Sequence, residues 1–184
     1  MPIPTGVSRR VQQSIVHFQQ RDWEGALVNL FPAVDKTATK RRPKEGVGAR
    51  MRSFLEDEEG LISCIATCNY IKGIYADGTS ITDALYKLGR TTIAHEGELD
   101  PRLNFNEQGR IAITQERWDL PVGYIFGLSI AVIVAPENAN EQFTQNFGIS
   151  VFGEQLQVND IWGQRELLRN LIASKFNRAN LFSQ

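Results

Sequence analysis

Apolar residues recur along this chain at two spacings, and each spacing predicts its own kind of element. Val7, Val11, Ile15 and Phe18 mark one face of a first helix, with Arg9, Arg10, Gln12 and Gln13 on other faces. A second helix begins at Asp22, a good N-cap, and carries Trp23, Ala26, Leu27, Leu30 and Phe31. Pro32 is expected to kink or end it. The pattern lapses over "KTATKRRPKEGVGARMR", where Pro43, Gly46 and Gly48 predict a loop. The acidic "EDEE" at 56–59 then opens a third helix, its carboxylates suiting the positive end of the dipole, with Leu61, Cys64, Ile65, Cys68 and Ile71 in helical period. "YADGTS" is a turn. Thr79 or Ser80 caps a fourth helix carrying Ile81, Leu85, Leu88 and Ile93; Asp83 completes a capping box with Ser80, and Gly97 is the stop.

Beyond residue 100 the spacing shortens. "RLNF", "NEQGR" and "IAIT" predict a short β-hairpin. Asp119 caps and Pro121 opens an apolar helix over about 120–136. Its run "LPVGYIFGLSIAVIVA" falls short of the ~20 residues of a membrane span and predicts a buried core helix. "FGISVF" is a strand, and Asn159 or Asp160 caps a last helix carrying Ile161, Trp162, Leu167, Leu168, Leu171 and Ile172. No repeat or low-complexity linker divides the chain. The expected fold is mainly α: a helical bundle with a small β-hairpin or sheet element, one domain over 1–184.

Composition changes this picture in one place. With 184 residues, 42% hydrophobic, 22% charged and a net charge of -1, the chain suits a globular domain that does not advertise a polyanion partner as a whole. The charge is unevenly spread, however. Residues 1–54 hold ten Lys/Arg against four Asp/Glu, and residues 55–184 hold ten against seventeen. The densest basic run contains Lys36, Lys40, Arg41, Arg42, Lys44, Arg50 and Arg52. Such a run can track phosphates without reading sequence, or it can be a solvated loop. No aromatic residue interrupts it, so base stacking is not expected there. Cys64 and Cys68 lack the second Cys/His pair of a closed zinc site and are read as packed apolar side chains. No Walker loop, dinucleotide fingerprint or HExxH motif occurs. No metal and no cofactor is expected. The opening "MPIPTGVSRRVQQ" lacks a signal-peptide core, so the expected location is the cytoplasm, with no membrane partner.

Acid–base chemistry near neutrality narrows to two histidines, His17 and His95. His17 sits beside Phe18 and is read as packed or solvated. His95 lies in "RTTIAHEG", separated from Arg90 by four residues. An arginine fork for a phosphate and an imidazole to move a proton form a minimal set for transferring an RNA phosphodiester without metal. Five steps of an α-helix separate the two Cα positions by about 140°, so they do not share a stripe. Either the helix ends near Ala94 and frees His95, or two protomers build the site together. The bare pair also reads as a solvated arginine and a C-terminal histidine.

"ITDALYKLGRTTIAHEGEL" resembles the motif helix of HEPN proteins, compact helical domains marked by an arginine and, four to six residues on, a histidine. "DWEGALVNLFPAVDKTATKRRP" resembles their leading helices, and the likeness covers roughly residues 5–105. The resemblance implies a metal-independent endoribonuclease acting as a homodimer, leaving 2′,3′-cyclic phosphate and 5′-OH ends. Arg90 would grip the scissile phosphate and His95 would be the acid/base. Thr91 would support the phosphate, and Glu96 would orient the imidazole or stay solvated. Lys40, Arg41, Arg42, Lys44, Arg50 and Arg52 would guide the RNA. Active members often carry Asn or Asp where this chain has Thr91. Family members recur as toxins with cognate antitoxins, in phage defence and in RNA processing. The alternative implied is a non-catalytic module that binds a nucleotide, RNA or protein. Residues 106–184 would complete the core or meet a partner, with Trp162 as a surface anchor.

Overall fold

The computed structural model describes residues 5–183; the first four residues of the opening segment lie outside the described part. It is 55% helical, with six helices and three small sheets, so the fold is mainly α with minor β elements.

Helix α1 (Gly6–Gln19) starts at Thr5, whose hydroxyl accepts the Val7 N–H, and buries Val7 and Val11. Helix α2 (Trp23–Arg41) starts at Asp22, whose carboxylate accepts the Gly25 N–H. His17 Nδ1 meets the same carboxylate at 2.7 Å, which makes this histidine part of a helix cap. The Gly25 N–H and then His17 hold the Asp22 carboxyl below the usual range. α2 runs on through Pro32 to Arg41 rather than ending there. Pro32 is exposed, and the helix beyond it is anchored by buried Ala33, Val34, Thr37 and Ala38.

Helix α3 (Val47–Thr67) begins nine residues before "EDEE". Met51, Phe54 and Leu55 extend its apolar stripe backward, so the loop shrinks to residues 42–46 and Glu58 and Glu59 fall inside the helix, buried. Strands β1 (Tyr75–Ala76) and β2 (Thr79–Ser80) form a hairpin over Asp77 and Gly78, both at positive φ. Helix α4 follows over 81–96. Ser80 caps it as expected, accepting the Asp83 N–H at 3.0 Å. Its centre, Leu85–Thr91, is π-helical.

The expected hairpin past residue 100 is replaced by a three-stranded sheet. β3 (Leu103–Asn106) pairs in parallel with β5 (Trp118–Pro121), and β4 (Ala112–Ile113) pairs antiparallel on the other side of β5. The residues assigned to a helix start alternate as a strand, with Trp118 and Leu120 buried. Helix α5 (Gly123–Val134) follows, buried on nearly all sides. A Cβ on Gly127 would stand 2.8 Å from the Ile62 carbonyl oxygen, so glycine lets α5 lie against the α3 backbone. Among the described residues no helix is long and apolar enough to cross a membrane. β6 (Gly148–Val151) and β7 (Glu154–Gln157) form a last hairpin. Val158–Asp160 is a 3-10 turn, so the final helix, α6 (Arg165–Lys175), starts later than its expected cap. Trp162 is not a surface anchor: it is 3% exposed and packs edge-on against Phe143. The buried apolar residues form one core reaching from α1 to α6.

Candidate functional site

The π-helical stretch of α4 faces α2 across Gly89. A Cβ there would stand 2.8 Å from the Phe31 ring, so the absent side chain lets the two helices approach. Arg90, the next residue, lines a cleft of about 290 Å³ with Ile93 and Ala94 from α4 and Val28, Phe31, Pro32 and Asp35 from α2. This is close to the lower end of ligand-pocket volumes, about 300 Å³. π-Helical turns inside α-helices occur often at functional sites.

Arg90 is half-buried, and among the described residues its guanidinium has no ion pair or hydrogen bond. Every other half-buried arginine is paired: Arg41, Arg42, Arg50, Arg52, Arg165 and Arg169 each meet a carboxylate. A partly desolvated charge without a partner is unfavourable in the free protein, so the site is suited to an anion.

His95 lies one turn on, exposed, and does not line the Arg90 cleft. α4 continues to Glu96 before Gly97 closes it at φ +84°, so the helix does not end early enough to free His95. Thr91 Oγ1 donates to the Tyr86 carbonyl at 3.1 Å, and Thr92 repeats the bond to Lys87. The Thr91 proton is therefore held by the helix. Glu96 is exposed and makes no hydrogen bond to His95 among the described residues.

The basic run of 36–52 is drawn into the scaffold. Lys40 Nζ contacts the Glu137 carbonyl, Asn138 and Glu141. Arg41 binds Glu137 through two nitrogens, at 2.8 and 3.1 Å, and also meets Asp57 and Glu58. Arg42 pairs with Asp57, and Arg50 with Asp35. Arg52 pairs with Asp83 and stacks over Tyr86 at 4.3 Å, turning Tyr86 toward α3. Of the six proposed RNA contacts, Lys44 alone is exposed without an ion pair among the described residues.

No local pattern pointed to the acids that hold these cations. Glu58 is fully buried, 2.9 Å from Arg41, 3.1 Å from Arg165 and 3.2 Å from Arg169. Burial alone would lower the Arg41 pKa, but Glu137, Glu58 and Asp57 hold it above its ordinary value. Burial raises the Glu137 carboxyl, and the Arg41 hydrogen bonds, a backbone hydrogen bond and the Arg41 and Arg165 charges together more than offset that, leaving it below the usual range. Burial pushes the Cys64 thiol up to about 12, so it is a packed group and not a nucleophile. Among the described residues no three His, Cys, Asp or Glu side chains gather as a metal site. Asp35, Val28, Phe31 and Pro32 were legible only as parts of a helix, with nothing to connect them to Arg90.

Comparison with known proteins places the chain in a family: it belongs to the Rv1289 family, matched over residues 6–182. It is 28% identical over 193 residues to uncharacterised protein Rv1289 of Mycobacterium tuberculosis, covering 95% of this chain and 90% of the relative. Uncharacterised protein Mb1320 of Mycobacterium bovis is similar to the same extent. No solved structure matches the chain.

Proposed function

We propose that the protein is a metal-independent endoribonuclease of HEPN type that acts as a homodimer. The observation that carries this reading is Arg90: a half-buried guanidinium at a cleft, unpaired among the described residues, in a chain whose other half-buried arginines are all paired. Its planar fork suits two oxygens of a phosphodiester. The proton steps fall to His95, since His17 is held by Asp22.

The chemistry requires both a base and an acid. The base takes the 2′-OH proton as the 2′-oxygen bonds to phosphorus. The acid protonates the 5′-oxygen as its bond to phosphorus breaks. One chain offers one exposed histidine, on a face that does not line its own Arg90 cleft; two chains offer two. With the helix running past Ala94, two protomers joined so that the Arg90 of one meets the His95 of the other would bring both groups to one phosphate. Lys44, exposed and without an ion pair among the described residues, would add a phosphate contact. In a cell such a nuclease would serve as a toxin restrained by a cognate antitoxin, in phage defence or in RNA processing.

The test is RNA cleavage in EDTA, with end-group analysis, by wild type, Arg90→Ala and His95→Ala. Cyclic-phosphate ends lost in both variants are the expected result. Equal rates in folded wild type and variants would sink the assignment. A second reading, a non-catalytic binding module built on the same cleft, is favoured by the Thr91 hydroxyl being committed to Tyr86. Anion binding at Arg90 with no cleavage would support it.

A further inference from the structure

Resting on the cleavage reading above, we propose that the cleft beside Arg90 is a base-selective subsite. It would seat the nucleobase on the 5′ side of the scissile phosphate and favour bases with an exocyclic amino group over uracil.

Three observations carry this. First, the floor and walls are apolar: Phe31 lies beneath, with Ile93 on one side and the exposed Val28 and Pro32 on the other. Such a slot suits the flat face of a base better than a second phosphate. Second, Asp35 lines the same cleft as Arg90. Arg50 donates twice to Asp35 Oδ1, at 3.0 and 2.8 Å, whereas Oδ2 has no donor among the described residues. A fixed carboxylate with one oxygen free is an acceptor waiting for a donor. Third, Pro32 has no N–H, so the Val28 carbonyl lacks its ordinary donor four residues on. Helix carbonyls point toward that following turn, and so this one lies between two residues that both line the cleft.

The cleft thus pairs one cation with two acceptors. A 3′-nucleotide has the matching pattern: a phosphate for Arg90 and, on guanine, adenine or cytosine, an amino group whose chief acceptor is Asp35, with the Val28 carbonyl beside it. Uracil shows a carbonyl oxygen where cytosine carries that amino group, and a carboxylate repels it. Asp35 would therefore be a specificity residue, touching the base and not the reacting atoms.

The experiment is titration of the full chain with the 3′-monophosphates of guanosine, adenosine, cytidine and uridine, followed by NMR and calorimetry. The three amino-bearing nucleotides should bind at least about tenfold tighter than the uridine nucleotide. Asp35→Asn should remove that difference, since an amide can donate to the uracil carbonyl. Ala94→Trp fills the cleft from an exposed helix position and keeps every charge; it should abolish binding of all four. Arg90→Ala should weaken all four alike. Equal binding of the four nucleotides, no binding of any, selectivity that survives Asp35→Asn, or binding undiminished by Ala94→Trp would each overturn the subsite. Selective binding with no RNA cleavage would instead sink the nuclease reading and leave the subsite standing. His95-dependent cleavage with unselective binding would do the reverse.

Discussion

Two sets of arginines in this molecule do opposite things with the same charge. Around Glu58, Arg41, Arg165 and Arg169 converge on one fully buried carboxylate and tie α2, α3 and α6 together. At the cleft between α2 and α4, Arg90 stands half-buried with no such partner among the described residues. In the first set, charge is neutralised within the fold. In the second it is left over, and a guanidinium left over in a partly desolvated place gains most when an anion arrives. Counting basic residues along the chain does not separate these regions, because the arginines of the densest basic run are paired within the fold.

The sharpest way to break this contrast is to separate stability from activity. Arg90→Ala and His95→Ala should each lower RNA cleavage by about 10²–10⁴-fold. The same variants should move unfolding free energy by no more than about 0.5 kcal/mol, read from urea melts. Destabilisation as large as that from losing Glu58 would make Arg90 a structural residue too. Glu58→Ala is the counterpart. It leaves three guanidiniums facing an emptied buried site and should cost about 3–5 kcal/mol of stability.

A smaller effect should come from Gly89→Ala, whose Cβ would meet the Phe31 ring at 2.8 Å. The added methyl should cost about 1–3 kcal/mol and narrow the Arg90 cleft, measured by denaturation alongside nucleotide binding. The smallest is a pH dependence. The Glu137 carboxyl is depressed in the folded protein, so the unfolded chain binds its proton more readily. Its contribution is whole above the ordinary carboxylate value of about 4.3 and is lost as pH falls through the lower folded value. The melting temperature of wild type should therefore drop more steeply below about pH 4 than that of Glu137→Gln. Parallel curves would remove Glu137 from the scaffold set.

Local signals were legible where local physics decides. The Asp22 cap, the Ser80 cap and the buried run at Gly123–Val134 all depend on residues a few positions apart, and the structure has all three, although the Asp83 carboxylate accepts from the Ser80 hydroxyl and, among the described residues, not from its N–H. The three-stranded sheet depends on β5 inserting between β3 and β4, which no short window reveals. The basic run stayed open to two readings for the same reason. Arg41 and its partner Glu137 are 96 residues apart, so only the folded chain shows that the charge is spoken for. At the candidate site, Arg90 and His95 could be named from spacing, and so could their failure to share a helical face. The α2 half of the cleft could not, since Asp35 looks like any solvent-facing acid in a helix.

The π-helical turn in α4 makes chain length a variable at this site. Its i→i+5 bonding holds one residue more per turn than the α-helix around it. Removing a single residue within Leu85–Thr91 would let the helix close up as ordinary α. Five π-helical residues turn and rise about as far as four α-helical ones, so everything after the deletion would keep nearly its place. His95 would stay on the same side of the molecule, one position earlier in the sequence. A one-codon deletion ahead of Arg90 would thus be absorbed, whereas the same deletion in the α-helical turn before His95 would rotate that residue by about 100°. Two relatives that differ by one residue ahead of the arginine can therefore present the same surface.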